Sequence, residues 1–260
     1  MKFKELIKEI EKACPLEIQE EWDNCGIQIY TGAEEVDKVL VALEITSETI
    51  DEAIELGADL IITHHPLFFT GQKTMDVNTY VGKLANKLIS HNISVYSCHT
   101  NFDAIFGGNN DFLGTVLAVD MVVAKYPDNK GILRHGWYND PKRLGDLVDV
   151  FSFKLGVDKS FFQLVGDPDR MISKVAICTG AGADFIEEVV ADRCDLLITG
   201  DVKYHDARKA KELGLAVVDL GHYASEMIFS EAFLCMMLAS DVDENLFILS
   251  QKDINPFTRI

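Results

Sequence analysis

Short, nearly continuous apolar runs alternate along the chain with segments whose apolar residues recur every three or four positions. VLVAL (39–43), LIIT (60–63) and ISVYS (93–97) read as strands buried on both faces, as parallel sheets have them. SETIDEAIELG (47–57) has helical spacing and stops on Gly57, and MKFKELIKEIEKA (1–13) predicts an amphipathic helix. The pattern then repeats. Residues 36–65 align with residues 172–201 at a constant offset of 136, and Lys38, Val39, Ile50, Glu52, Asp59, Leu60, Ile62 and Thr63 meet identical residues. Each copy reads strand, helix, strand, helix, strand, ending at His99 in the first and His222 in the second. The class is α/β: two similar halves related by internal duplication, residues 1–125 and 126–260.

Between the copies, KYPDNKG marks a turn around Pro127, PKRLGDLVDVFSFKLG (141–156) a helix, and FFQLVGDPD a strand and turn. A helix is expected from Tyr223 to Asp241, its MIFSEAFLCMML stripe facing the core. WDNCG (22–26) predicts a strand start with Trp22 buried. IFGGNND (105–111) reads as a tight turn feeding a helix through Asn109, Asn110 or Asp111, in preference to a phosphate cradle.

Charge narrows the function classes. The 260 residues hold 42 acidic and 24 basic side chains, a formal charge of −18, which argues against nucleic acid and anionic membrane surfaces as partners. No uncharged apolar stretch approaches the roughly 18–20 residues that span a bilayer, and the charged N-terminal segment reads as an amphipathic helix and not as a signal peptide. Six cysteines without close CxxC pairing fit reduced thiols in a cytoplasm.

The chemistry collects where α/β sheets bind ligands, at the carboxyl ends of strands. Five of the seven histidines fall there: His64 and His65 after LIIT, His99 after ISVYSC, His205 beyond LLITGD, and His222 after AVVDLG. Asp103, Asp201 and Glu226 accompany them. His222 and Glu226 are four apart, as are His99 and Asp103, so each pair shares a face of a helical first turn. His64 and His65 share one site only if the chain turns at Pro66; otherwise each serves a different ion of a close pair. Imidazole and carboxylate together favour a two-metal centre and suit iron, zinc or manganese alike. Neither glycine-rich segment fits a dinucleotide or P-loop fingerprint. A Cys98–His99 nucleophile pair is disfavoured, because neighbours on a strand face apart.

EEWDNCGIQIY, LIITHHPLFF, CHTNFDAIFGGNND and TGDVKYHDARKAKELGLAVVDLGHYASE together resemble the GTP cyclohydrolase I type 2-like, or NIF-three-like, family over residues 21–226. The resemblance implies a dinuclear metal site central to two α/β halves, in the short form without an inserted domain. It implies His64 and Asp103 on one divalent ion, His65 and His222 on the other, and Glu226 bridging. His99 and His205 become candidate proton carriers. Ring-shaped homohexamers with a small-molecule substrate in an internal cavity are implied as well. The chemistry would be hydrolytic opening of a nucleotide-like heterocycle, or, alternatively, non-catalytic metal binding, metal delivery or regulation. Lys203, Arg208 and Arg134 are the cations nearest the motifs that a nucleotide phosphate would need.

Overall fold

The computed structural model describes residues 1–125 and 131–258, so the turn expected at Pro127 lies outside the described residues. The strands, in chain order, are β1 (Gly26–Ile29), β2 (Val39–Ala42), β3 (Leu60–Thr63), β4 (Ser94–Ser97), β5 (Met121–Ala124), β6 (Arg134–Arg143), β7 (Gln163–Val165), β8 (Met171–Ile177), β9 (Leu196–Thr199), β10 (Ala216–Asp219) and β11 (Phe247–Leu249). They form a five-stranded sheet, β1-β4-β3-β2-β11, and a six-stranded sheet, β5-β6-β8-β9-β10-β7. Among the described residues no helix is long and apolar enough to cross a membrane.

The first unit comprises Met1–Ile105 and Phe229–Phe257. Its strands β2, β3 and β4 run parallel, β11 joins β2 in parallel, and β1 closes the other edge antiparallel to β4. The VLVA, LIIT and SVYS strands are fully buried, as their unbroken apolar pattern requires. Each aliphatic side chain so buried contributes roughly 1.5–3 kcal/mol. The crossover helix Ser47–Leu56 starts where Thr46 Oγ1 accepts from Thr49 N and stops on Gly57, which turns left-handed at φ 67°.

The second unit is built on Phe106–Ile228. Its strands β8, β9 and β10 are parallel, flanked by antiparallel β6 and β7. The offset of 136 that relates the two sequence segments also relates individual hydrogen bonds. Asp59 Oδ2 accepts from the backbone of Asp37 and Lys38, as Asp195 Oδ2 does from Ser173 and Lys174. Lys38 Nζ donates to the Leu56 carbonyl, and Lys174 Nζ to the Asp192 carbonyl. The identities Lys38/Lys174 and Asp59/Asp195 therefore mark the same clamp below each first strand.

Four sequence expectations need correction. The chain divides at Ile105/Phe106 and not near residue 125, and Phe229–Phe257 returns to the first unit. The cause is packing: Leu113, Leu117 and Val119 join the core of the second sheet, while β11 pairs with β2. The single helix expected from Tyr223 to Asp241 is two, His222–Glu226 and Phe229–Met237. The helix expected from Pro141 begins at Leu144, because Lys142 and Arg143 pair with Ile172 and Met171 of β8. Trp22 is 61% exposed, although the strand it precedes does start at Gly26. The turn-to-helix reading of residues 105–111 agrees with a helix over Asn109–Val116, but its N-cap is Gly108.

Candidate metal centre

In the first unit, β3 ends at Thr63, and the chain turns at once. The Thr63 hydroxyl donates back to the His65 carbonyl at 2.8 Å, and Ser97 Oγ of β4 donates to the same carbonyl at 3.3 Å. This turn lets His64 and His65, which would face apart on a continuing strand, bring their rings within 5.3 Å. With His99 they place one ring nitrogen each within 4.8 Å of one another. His64 is fully buried, and its Nδ1 donates to the Cys98 carbonyl at 2.9 Å. Its Nε2 lies 3.7 Å from Asp103 Oδ1, one turn into the helix Thr100–Ala104. Cys98 itself is fully buried.

His99 is held by a residue that spacing did not single out. Asp23 Oδ1 accepts from His99 Nδ1 at 2.9 Å, and Asp23 Oδ2 accepts from the Thr100 N–H, the Thr100 hydroxyl and Cys25 Sγ. Burial alone would raise the Asp23 carboxyl, but these donors hold it well below the usual carboxylate range. The signal was present in EEWDNCG, yet its partner is 76 residues away.

In the second unit, three strand ends converge through glycine. Gly180 follows β8, Gly200 follows β9 and Gly221 follows β10. A Cβ at Gly200 would sit 2.7 Å from the Gly180 oxygen, the Gly221 carbon and the His222 nitrogen, so only glycine fits. Asp219 ties two of these loops, accepting from Val202 N and Gly221 N. Ser225 Oγ accepts from Gly180 N at 2.9 Å and donates to the His222 carbonyl.

That scaffold presents His222 between two carboxylates. Its Nδ1 is 2.8 Å from Asp201 Oδ2, and its Nε2 is 3.0 Å from Glu226 Oε2. Burial would lower this imidazole, but Glu226 and Asp201 raise it to about 9. Asp201 adopts a left-handed backbone, φ 53°, a conformation that costs an aspartate roughly 1 kcal/mol and that recurs at functional sites.

The donor set fits metal. Ligating histidines commonly donate one ring N–H to a carbonyl or carboxylate and offer the other nitrogen to the ion. His64 does so through the Cys98 carbonyl and His222 through Asp201, and each turns Nε2 toward a carboxylate. His205 is not part of either group: it is exposed in the first turn of the helix Tyr204–Glu212, its ring against Tyr204. Of the cations offered for phosphate binding, Arg134 is fully buried and donates to Asp111 at 3.0 Å, so it cannot serve. Arg208 is exposed and paired with Glu212, and Lys203 is exposed.

Paired α/β units with histidine–carboxylate pairs at the carboxyl ends of parallel strands define the class of protein: an α/β protein carrying a candidate metal centre. The chain belongs to the Duf34/NIF3 (NGG1p interacting factor 3) family, whose pattern matches residues 1–256. The resemblance read from the sequence motifs is thereby borne out. It is 35% identical to a GTP cyclohydrolase 1 type 2 homolog of Clostridium perfringens, over 99% of each chain. It is 36% identical to a GTP cyclohydrolase 1 type 2 of Helicobacter pylori, over 87% of this chain and 88% of that one. Among solved structures, a hypothetical protein of Staphylococcus aureus matches with a TM-score of 0.89 at 26% identity, covering 100% of this chain and 99% of the other. Reduced HcgD from Methanocaldococcus jannaschii matches at 0.81 and 27% identity, covering 97% and 98%.

Proposed function

We propose that the chain binds two divalent metal ions, of iron, zinc or manganese, and uses them to hydrolyse a nucleotide-like heterocycle. His64 and Asp103 would hold one ion, His65 and His222 the other, and Glu226 would bridge them. The observation that carries this reading is the matched orientation of His64 and His222, each with Nδ1 engaged and Nε2 turned to a carboxylate. The names of the relatives from Clostridium perfringens and Helicobacter pylori direct the substrate class toward GTP.

When bound, the ions would supply an activated water and a Lewis acid. The remaining work falls to this chain's own groups. Asp23 keeps the proton of His99 on Nδ1, so Nε2 is the atom that takes up or delivers a proton at the substrate. His99 is the better proton carrier of the two candidates, because His205 stands exposed with its ring on Tyr204. Internal duplication, a ring-shaped homohexamer and a cytoplasmic location belong to the same proposal.

Metal-loaded protein, reconstituted anaerobically with iron, manganese or zinc in turn, is the material for the test. GTP and related nucleotides are supplied, and loss of the purine chromophore is followed. Turnover is expected, and His99→Gln should lower it about 10²–10⁴-fold without removing metal. A fully loaded protein that opens no heterocycle of the panel contradicts the hydrolase reading and leaves metal binding alone.

A further inference from the structure

Trp22 and Phe69 are 61% and 49% exposed, whereas the phenylalanine cluster Phe102, Phe229 and Phe233 is buried. A lone exposed ring needs no explanation. These two are different because both meet the same imidazole. The Trp22 ring lies 5.8 Å from that of His99 at 76°, and the Phe69 ring 5.7 Å from it at 88°. Phe69 also lies 6.4 Å from His65.

The segments that carry the two rings are braced on each other. Asn24 Nδ2 donates to the Phe68 carbonyl at 2.6 Å, and Gln28 Oε1 accepts from Phe68 N at 3.1 Å. On the Trp22 side, Glu20 N donates to Thr100 Oγ1, Cys25 N donates to Gln19 Oε1, and Asp23 binds His99. Two large apolar rings are therefore held in water beside the candidate metal histidines. These bonds fix the two segments from which the exposed rings project.

We propose that Trp22 and Phe69 form an aromatic subsite that binds the flat ring of a heteroaromatic ligand beside His99. This rests on reading the histidine cluster as the reactive site. Exposed rings of this kind offer stacking, which tolerates any planar heterocycle. Charge contributes little, since the chain is strongly acidic and Arg134 is committed to Asp111. Recognition therefore begins with the ring and not with phosphate.

Only two tryptophans are present, so Trp137→Phe leaves Trp22 as the sole indole emitter. In that background, guanosine and adenosine should quench the emission saturably, and ribose 5-phosphate should not. By calorimetry, Trp22→Ala should weaken guanosine binding about 10-fold or more, while Trp22→Phe, which keeps a π-face, should stay within about 3-fold. Phe69→Leu should weaken it and Phe69→Tyr should not. Metal per chain is measured on every sample. Bound metal with no response of Trp22 to either nucleoside overturns the subsite and leaves the metal reading standing. Quenching in protein that takes up no metal even after anaerobic reconstitution supports the subsite and overturns the metal reading. Emission that changes with protein concentration and not with nucleoside means that a second copy covers the rings, which also overturns the subsite.

Discussion

Gly200→Ala is expected to destabilise the second unit and to strip it of metal affinity together. The added methyl group would lie 2.7 Å from three backbone atoms, the Gly180 oxygen, the Gly221 carbon and the His222 nitrogen. Backbone cannot swing aside as a side-chain end can. Overpacking of this kind costs about 1–3 kcal/mol, and contact with backbone of both neighbouring strand-end loops, after β8 and after β10, places it at the upper end. Relief requires His222 to shift, and with it the pairs to Asp201 and Glu226. Gly180→Ala differs in kind. Its Cβ would lie 2.3 Å from Glu226 Oε1, the end of a flexible side chain, and its φ is 65°. It should cost less stability and yet displace the carboxylate proposed to bridge the ions. Gly214→Ala is the control, with φ 72° and nothing within 4 Å of the added atom. Urea unfolding, with metal measured per chain, reads all three. A Gly200→Ala protein as stable as Gly214→Ala, with its metal intact, would contradict the convergence of the three loops.

Asp111→Ala should cost about 3–5 kcal/mol, the penalty for removing a carboxylate partner from a buried charge. Arg134 is fully buried, its Nε donating to Asp111 Oδ1 at 3.0 Å and its Nη1 to the Gly131 carbonyl at 3.2 Å. The second carboxylate oxygen of Asp111 accepts from Gly107 N at 2.8 Å, at the start of the helix Asn109–Val116. One substitution thus removes both a charge partner and a turn clamp. The double replacement Asp111→Leu with Arg134→Met should recover most of the loss, because apolar groups of similar volume avoid the desolvation of a pair. A loss below about 1 kcal/mol on denaturant titration of Asp111→Ala would show that the pair is not an anchor of this unit.

What could be read from the sequence followed from local physics. Strands β2, β3 and β4 announce themselves as unbroken apolar runs, and the helix Ser47–Leu56 carries both its cap, Thr46, and its stop, Gly57. The motif residues His64, His65, Asp103, His222 and Glu226 were visible because they cluster at strand ends or at helical spacing. What was hidden depended on distant partners. Asp23 matters through His99, and the return of Phe229–Phe257 to the first unit depends on β11 finding β2. The exposure of Trp22 was missed because composition alone sends an indole to the core. Arg134 looked like a phosphate ligand until its burial beside Asp111 was seen.

The decisive measurement is metal per chain by elemental mass spectrometry, on untagged protein purified without chelator and again after anaerobic reconstitution. His65→Ala and Glu226→Ala belong beside it. About two ions in the unaltered chain, about one in His65→Ala and almost none in Glu226→Ala would establish the paired centre. A chain that takes up no iron, zinc or manganese, or a Glu226→Ala protein that still holds two ions, would contradict it.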